Sequence, residues 1–345
     1  MNANIDTVNA RPATADPPPP PTRRQTGASR RPLARFAVLG LLVAFIAVFS
    51  LLRPDSFATT DNFKTILVEN AVLTILALAV MVPLIANDFD LSVAAVLGLG
   101  AMLTAGLAGK SGIPVPLVIV LVLAIGAAIG AIHALLIVRF DLPSFVVTLG
   151  TNSVVGGMIL LYSGGNTLFE GIPKSLTDLG TSDVAGIGLP VIYMAVIALV
   201  LWFVLDRRPA GRLLYAVGAG ESAARLAGVP TRRVRAIALI TAGTLAAFAG
   251  IVLTARIGSA NPTANASFFL PAFAGAFLSL AAFQLGRFNA LGVVASVYLL
   301  AVGVSGLQIL GVPSWVEPMF NGTALVLAIA LSRLTPGSSR RVGRL

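Results

Sequence analysis

Apolar residues form long uninterrupted stretches that alternate with short polar connections along most of the chain. A helix needs about 20 apolar residues to cross the roughly 30 Å hydrocarbon core of a bilayer. Stretches of that length with few charges are typical of membrane-spanning helices. The two stretches at 91–109 and 268–285 are also compatible with re-entrant segments. The pattern predicts about ten spans, near residues 36–52, 66–87, 91–109, 114–138, 144–163, 188–205, 235–256, 268–285, 288–311 and 316–333.

Composition favours the same architecture. Hydrophobic residues make up 57% of the 345 positions and charged residues only 11%, whereas soluble domains carry about 25% charged residues. The fold class predicted is therefore all-α, a polytopic membrane helical bundle. The chain has no cysteine, which excludes disulfides, thiol redox chemistry and cysteine-ligated metals.

Basic residues are distributed unevenly between the predicted connections. With ten spans and the N-terminus inside, nineteen of the 24 Lys and Arg residues fall on the cytoplasmic side. Cytoplasmic loops are the basic ones in membrane proteins, so both termini are expected in the cytoplasm of a bacterial inner membrane. This topology accounts for the net charge of +10 without nucleic-acid binding. The five basic residues outside are Arg53, Lys64, Lys110, Lys174 and Arg256.

The chain divides into a membrane domain and two tails. Residues 1–31 hold a run of five prolines and several arginines, a composition that predicts a disordered cytoplasmic tail. Residues 32–335 form the predicted transmembrane domain, and residues 206–234 form its longest cytoplasmic loop. Residues 336–345 are a short basic cytoplasmic tail.

Catalytic and cofactor motifs are missing from the sequence. Gly109-Lys110-Ser111 imitates the end of a phosphate-binding loop, but Thr104 stands where the leading glycine belongs. No spacing typical of a metal site occurs. The single histidine, His133, lacks the ionisable partners of a proton relay, so we interpret it as a packed, hydrogen-bonded side chain. We expect neither an enzyme nor a cofactor.

Two local patterns have structural interpretations. Gly126 and Gly130 form a small-xxx-small pair, which favours close packing between membrane helices. Asp90 precedes a predicted span, and we expect its carboxylate to cap the N–H groups at the start of that helix rather than to contact a substrate.

The cytoplasmic loop contains a short predicted helix, Glu221–Ala227. An acidic first residue suits the positive end of a helix, and Gly228 followed by Pro230 ends it. Two helical turns are not stable alone in water, so this helix must dock on another surface.

Two docking surfaces fit the short helix. Ala223, Ala224 and Leu226 offer small apolar contacts that suit a cytoplasmic protein partner. Arg225, together with the arginines just after the helix, also suits an interfacial helix lying on lipid headgroups. We favour the protein partner because it explains the small apolar side chains.

Three blocks within residues 60–333 resemble the permease family of bacterial ABC importers for ribose, xylose and related monosaccharides. The first is the turn Asp90-Leu91-Ser92-Val93. The second is the run from Leu142 to Thr151, which is similar to a Pro-Phe-Ile-Val-Thr-Leu-Gly-Thr motif. The third is the cytoplasmic loop, with the matching residues Gly211, Arg212, Tyr215, Gly218, Glu221, Ala223, Ala224, Arg225, Leu226 and Gly228.

The resemblance implies an importer with a fixed set of partners. Two permease copies, identical or related, would form the path through the lipid bilayer. Two cytoplasmic ABC ATPase subunits would drive transport, and a periplasmic or extracellular solute-binding protein would deliver a sugar. The cytoplasmic loop would then be the element that couples the permease to the ATPase.

The chain departs from the family pattern at several positions. Asn87 and Asp88 replace a pair of glycines, Gly220 replaces an asparagine, and phenylalanines replace an acidic, glycine-rich stretch near the eighth span. A stand-alone secondary carrier or exporter is the alternative function, and a membrane enzyme or scaffold would need a polar reactive cluster that the sequence lacks. We expect the translocation path or its gate to involve Asp90, Ser92, Phe145, Thr148, Phe273 and Phe277.

Overall fold

The computed structural model describes residues 35–334, and the predictions for the tails 1–31 and 336–345 lie outside this range. The described residues form helices and one small hairpin, whose antiparallel strands β1 (Asp183–Val184) and β2 (Ile187–Gly188) are two residues each. The helices are α1 Ala37–Leu52, α2 Thr60–Ile85, α3 Val93–Lys110, α4 Val115–Arg139, α5 Ser144–Ser163, α6 Lys174–Thr181, α7 Leu189–Arg207, α8 Pro209–Ala219, α9 Glu221–Leu226, α10 Thr231–Ile257, α11 Ala266–Ala281, α12 Ala290–Ile309 and α13 Val316–Leu334.

Each of the ten predicted apolar stretches is helical in the structure. Within residues 35–334, seven helices are long and apolar enough to cross a membrane by length and composition, namely α2, α3, α4, α5, α7, α10 and α12. Helices α1 and α11 are apolar but shorter. The prediction of a helical, multi-pass membrane protein is therefore confirmed.

The long helices fall into an inner and an outer group. In their most apolar windows, 67% of α2, 78% of α3, 61% of α10 and 72% of α12 is buried inside the chain. The corresponding share is 22% for α4, 17% for α5 and 22% for α7. Helix α10 packs on α2, α3 and α4, and α5 packs mainly on α3. The outer helices therefore leave most of their surface for lipid or another subunit.

Glycines bring α4 and α10 into close contact. A Cβ atom added to Gly126 would lie 2.5 Å from the carbonyl oxygen of Gly243 in α10, and one on Gly130 would lie 2.5 Å from the carbonyl oxygen of Leu239. Neither backbone could approach so closely with a side chain present. The predicted packing role of the Gly126 and Gly130 pair is confirmed.

Several connections meet at one end of the bundle, which we call the loop end. It comprises the α2–α3 turn (residues 86–92), the segment from α8 to the start of α10, and the α11–α12 turn (residues 282–289). Long-range hydrogen bonds join these segments to one another. The residues of the candidate site lie at this end.

Candidate functional site

Helix α9 forms where the sequence predicts it, over Glu221–Leu226. Gly228 adopts a left-handed conformation, with φ of 80°, which glycine tolerates without steric cost. The backbone N–H of Val229 then donates to the carbonyl oxygen of Ala224 at 3.0 Å. This arrangement ends the helix and turns the chain into α10.

The short helix is attached to its own chain. The carboxylate of Glu221 accepts hydrogen bonds from Arg225 at 3.1 Å, Thr231 at 3.2 Å and Arg235 at 3.1 Å. The side chain of Ala224 is buried, with 6% exposed. Because this methyl group already packs within the chain, any contact of α9 with a separate protein would use its other side chains, and the predicted coupling role of Ala224 stays a prediction.

The opposite face of α9 is open. Leu226 is 91% exposed, and Ala223 and Arg225 are exposed beside it. An apolar side chain this exposed on a short, anchored helix offers a contact for something outside the chain. Arg212, on α8, is also exposed.

Arg235 joins α9 to the α2–α3 turn. Its guanidinium donates to both carboxylate oxygens of Asp88, at 2.9 and 2.7 Å, and to Glu221 at 3.1 Å. The side chains of Asp88 and Arg235 are 3% and 14% exposed. Asp88 and Glu221 contribute two negative charges and Arg225 and Arg235 two positive ones, so the group is neutral. A buried carboxylate requires such a partner.

The same turn contacts α8. The side-chain amide of Asn87 donates to the carbonyl oxygen of Gly218 at 2.7 Å. Gly218 is packed so tightly that an added Cβ atom would clash with the carbonyl oxygen of Ile85. Gly211, at the other end of α8, is packed in the same way against Leu205. Gly211 and Gly218 therefore allow α8 to approach neighbouring helix ends.

Tyr215 ties α8 to the α11–α12 turn. Its hydroxyl donates to the carbonyl oxygen of Phe288 at 2.6 Å, and the guanidinium of Arg287 stacks 3.6 Å from its ring centre. Burial raises the pKa of Tyr215 above 10.0, although the charge of Arg287 acts in the opposite direction. The hydroxyl therefore remains protonated and able to donate at neutral pH.

Asp90 and Ser92 form a compact buried unit before α3. One oxygen of Asp90 accepts from the backbone N–H of Ser92 at 3.0 Å and from its hydroxyl at 2.6 Å. No side chain caps the first N–H groups of α3 itself. The prediction that Asp90 caps the N–H groups of α3 is therefore corrected: Asp90 instead binds Ser92, the residue that precedes the helix.

His133 lies beside this unit. Its ring is buried, and Nδ1 is 3.7 Å from the other oxygen of Asp90. Neither ring nitrogen has a hydrogen-bond partner among the described residues. The packed environment predicted for His133 is confirmed, but the predicted hydrogen bond is not present.

Thr148 and Phe277 also converge on the α2–α3 turn. The hydroxyl of Thr148 lies 3.1 Å from the carbonyl oxygen of Phe89 and 2.8 Å from that of Ser144, and the ring of Phe277 lies 6.5 Å from that of Phe89. Phe145 is 51% exposed, and Phe273 is buried, 5.0 Å from the ring of Phe269. The structure thus brings together Asp90, Ser92, Thr148 and Phe277, and places the other two candidates elsewhere.

Comparison with known proteins identifies the family. Residues 62–329 match a family described as the permease component of the branched-chain amino acid transport system. The chain belongs to this family. The permease match runs from α2 into α13 and includes the whole loop end.

Curated relatives cover most of the permease. It is 31% identical over 300 residues to the D-allose transport system permease protein AlsC of Escherichia coli K12, which is 87% of this chain and 92% of that protein. It is 34% identical over 296 residues to the ribose import permease protein RbsC of Bacillus subtilis 168, 86% and 91% of the two chains. It is 31% identical over 305 residues to the autoinducer 2 import system permease protein LsrD of Photorhabdus laumondii, 85% and 89%. No solved structure matches.

Sequence reasoning missed Asp88 and Arg235 as functional residues of the permease. The available signal was the pair of departures from the family pattern at Asn87 and Asp88. Both side chains that replace glycine contact the segment from α8 to the start of α10, one at Gly218 and the other through Arg235. An acidic residue next to apolar helices needs a basic partner. Arg235 is a basic residue near the start of α10, the long apolar helix that follows the loop.

Proposed function

We propose that the chain is the membrane-spanning permease subunit of an ATP-driven importer for a monosaccharide or a similarly small polar solute. Its family is one of transport permeases, and relatives named for ribose, D-allose and autoinducer 2 import share 28–34% of its residues. Ribose and D-allose are both small polyhydroxylated sugars. A related polar solute is therefore the substrate class.

In the proposed topology, residues 32–335 form the domain that crosses a bacterial inner membrane ten times. Both termini lie in the cytoplasm. Helices α1, α11 and α13 supply the three crossings beyond the seven long apolar helices. The excess of basic residues in the connections assigned to the inside supports this orientation. The loop end, with residues 206–234, then faces the cytoplasm.

The proposal rests on the difference between the two sides of α9, one attached to the chain and the other exposed. One side is fixed to the permease by Glu221 and the buried Ala224, and the other presents the 91% exposed Leu226. A six-residue helix held in this way is a rigid projection, suited to a cleft in a cytoplasmic ABC ATPase subunit. The coupling surface proposed is Ala223, Arg225 and Leu226, supported from behind by Gly211, Arg212, Tyr215, Gly218, Glu221, Ala224 and Gly228.

Substitutions at Leu226 test this surface against the alternative of a helix lying on lipid. Leu226→Trp is too large for a cleft shaped to leucine but suits the membrane interface, where tryptophan is enriched. We expect Leu226→Trp and Leu226→Glu to reduce co-purification of the neighbouring ATPase at least tenfold. Leu226→Met preserves volume and serves as the matched control. Full retention of the ATPase by Leu226→Trp would assign α9 to the lipid surface.

A stand-alone secondary carrier is the second candidate function. The observation in its favour is the buried pair of Asp90 and His133, separated by 3.7 Å, because proton-coupled carriers use ionisable groups inside the membrane. Uptake of labelled D-ribose and D-allose separates the two mechanisms. The importer predicts uptake that stops on ATP depletion and persists with a protonophore, whereas a proton-coupled carrier predicts the reverse.

The remaining partners are proposed from the general arrangement of ABC importers, which have two permease subunits and a solute-binding protein. A second copy of the chain, or a related permease, would face the largely unburied α5, and an extracytoplasmic solute-binding protein would deliver the substrate. Asp90, Ser92, Phe145, Thr148, Phe273 and Phe277 remain the proposed path or gate residues. Among them, Phe145 is 51% exposed on α5, which suits a position between two subunits.

A further inference from the structure

The α2–α3 turn makes a separate contact to another element at each of four successive residues. Asn87 bonds to α8, Asp88 to Arg235 of α10, and the backbone of Phe89 to α5. Asp90 faces His133 of α4. A connection that needed only to reverse the chain would not require four different neighbours. The turn is therefore a junction between the cytoplasmic loop and the membrane helices.

On the loop side of this junction, Arg235 is the connecting residue. It binds Asp88 with two parallel hydrogen bonds and reaches Glu221 of α9 with a third. Two-pronged contacts between arginine and carboxylate fix direction as well as distance. Displacement of α9 therefore displaces the turn.

On the membrane side, the turn holds the start of α5. The N–H of Phe89 donates to the hydroxyl oxygen of Ser144 at 3.1 Å. The carbonyl oxygen of Phe89 lies 3.1 Å from the hydroxyl of Thr148, whose single proton it shares with the carbonyl oxygen of Ser144 at 2.8 Å. Helix α5 is the least buried of the seven long helices, at 17%, so few other contacts restrain it. It also carries exposed Ser153 near its middle.

We propose that the α2–α3 turn transmits movement of α9 to α5, and that Arg235 is the positioning residue that closes this link. The proposal rests on the proposed function, because α9 must be moved by an ATPase. It adds to that function a route and two residues, Asp88 and Arg235, outside the surface that touches the ATPase.

Thiol labelling of α5 reads this transmission directly, since the chain has no native cysteine. Ser153→Cys, in the permease co-purified with its ATPase, is labelled with a charged methanethiosulfonate before and after trapping with ATP and vanadate. We expect trapping to change the labelling rate at least fivefold. Asp88→Ala and the double substitution Ser144→Ala/Thr148→Val, which remove the side-chain contacts at the two ends of the link, should each reduce the change to less than twofold while the ATPase stays bound.

The combined variant distinguishes transmission from separate local effects. Links in series fail completely when either is broken, so Asp88→Ala combined with Ser144→Ala/Thr148→Val should lose no more than either end substituted alone. Arg235→Lys should retain an intermediate response, since lysine reaches one carboxylate but cannot bind Asp88 with two prongs. Asp178→Asn removes an exposed ion pair with Lys174 and should leave the response unchanged.

Three outcomes overturn the proposal. The first is a full labelling response in Asp88→Ala or in Ser144→Ala/Thr148→Val, and the second is a combined variant that loses much more than either end substituted alone. The third is a Ser153→Cys thiol that is never labelled, which would place α5 away from any aqueous path. Loss of the ATPase from the unsubstituted permease would instead contradict the proposed function itself.

Discussion

Single residues at the loop end are fixed by packing against backbone atoms. Gly218 faces the carbonyl oxygen of Ile85, and the chain has no space there for even a methyl group. Gly150 of α5 has the opposite environment, with no atom within 4 Å of an added Cβ. The two glycines therefore have different physical reasons to be present, although the sequence presents them alike.

Gly218→Ala is expected to destabilise the protein by about 1–3 kcal/mol, the usual cost of forcing an extra carbon into a packed site. The clash is with backbone, so it cannot be relieved by rotating a side chain. Thermal unfolding in detergent measures the effect. Gly150→Ala is the matched control and should unfold at the same or a slightly higher temperature, because alanine favours helix. Equal unfolding temperatures for both variants would contradict the tight contact.

At the scale of elements, side-chain caps and turns determine where helices begin. Asn289 accepts from the N–H of Gly292 at 2.7 Å, and the two N–H groups of its amide face three carbonyl oxygens, those of Ser279, Ala282 and Arg287, at 2.9–3.1 Å. It therefore closes the α11–α12 turn as well as starting α12. Thr59 starts α2 with a single cap, a 3.2 Å bond from the N–H of Asn62.

Asn289→Ala should cost more stability than Thr59→Ala. Loss of a simple cap costs about 1 kcal/mol, which is the expectation for Thr59→Ala. Asn289 is buried, with 3% exposed, and its removal also leaves buried carbonyl groups without a donor, at about 1–3 kcal/mol in addition. Unfolding of the two variants under identical conditions measures the difference, and similar losses would show that Asn289 serves only as a cap.

At the scale of the whole molecule, the interlocked turns meet at the loop end. The proposed orientation places exposed Arg212 of α8 inside and exposed Asp183 of the β-hairpin outside. Both positions lie well away from the buried core, so substitution should not disturb the fold.

Single cysteines at these two positions test the orientation. Asp183→Cys should react with an impermeant maleimide in spheroplasts, whereas Arg212→Cys should react only after the membrane is permeabilised. Because the chain has no native cysteine, the unsubstituted protein serves as the negative control for labelling. The reverse pattern would invert the topology and remove α9 from the cytoplasm.

The helices can be predicted from the sequence because the length and apolar character of each one are visible in its own residues. Helix α9 can be predicted for the same reason, from its acidic first residue and the glycine after its end. The partners of α9 are not predictable in this way. Asp88 and Arg235 are 147 positions apart, and nothing local to either residue identifies the other. The burial of Ala224 likewise depends on how the loop folds back on the bundle.

Arg235 and Arg225 both neutralise Glu221, but solvent reaches them very differently, with 14% of one side chain exposed and 62% of the other. Dissolved ions screen exposed charges strongly and enclosed charges weakly. As the concentration of salt around α9 rises, the outer arginine should detach first while the inner one holds. The joint between α9 and the bundle should therefore keep its geometry as ionic strength increases.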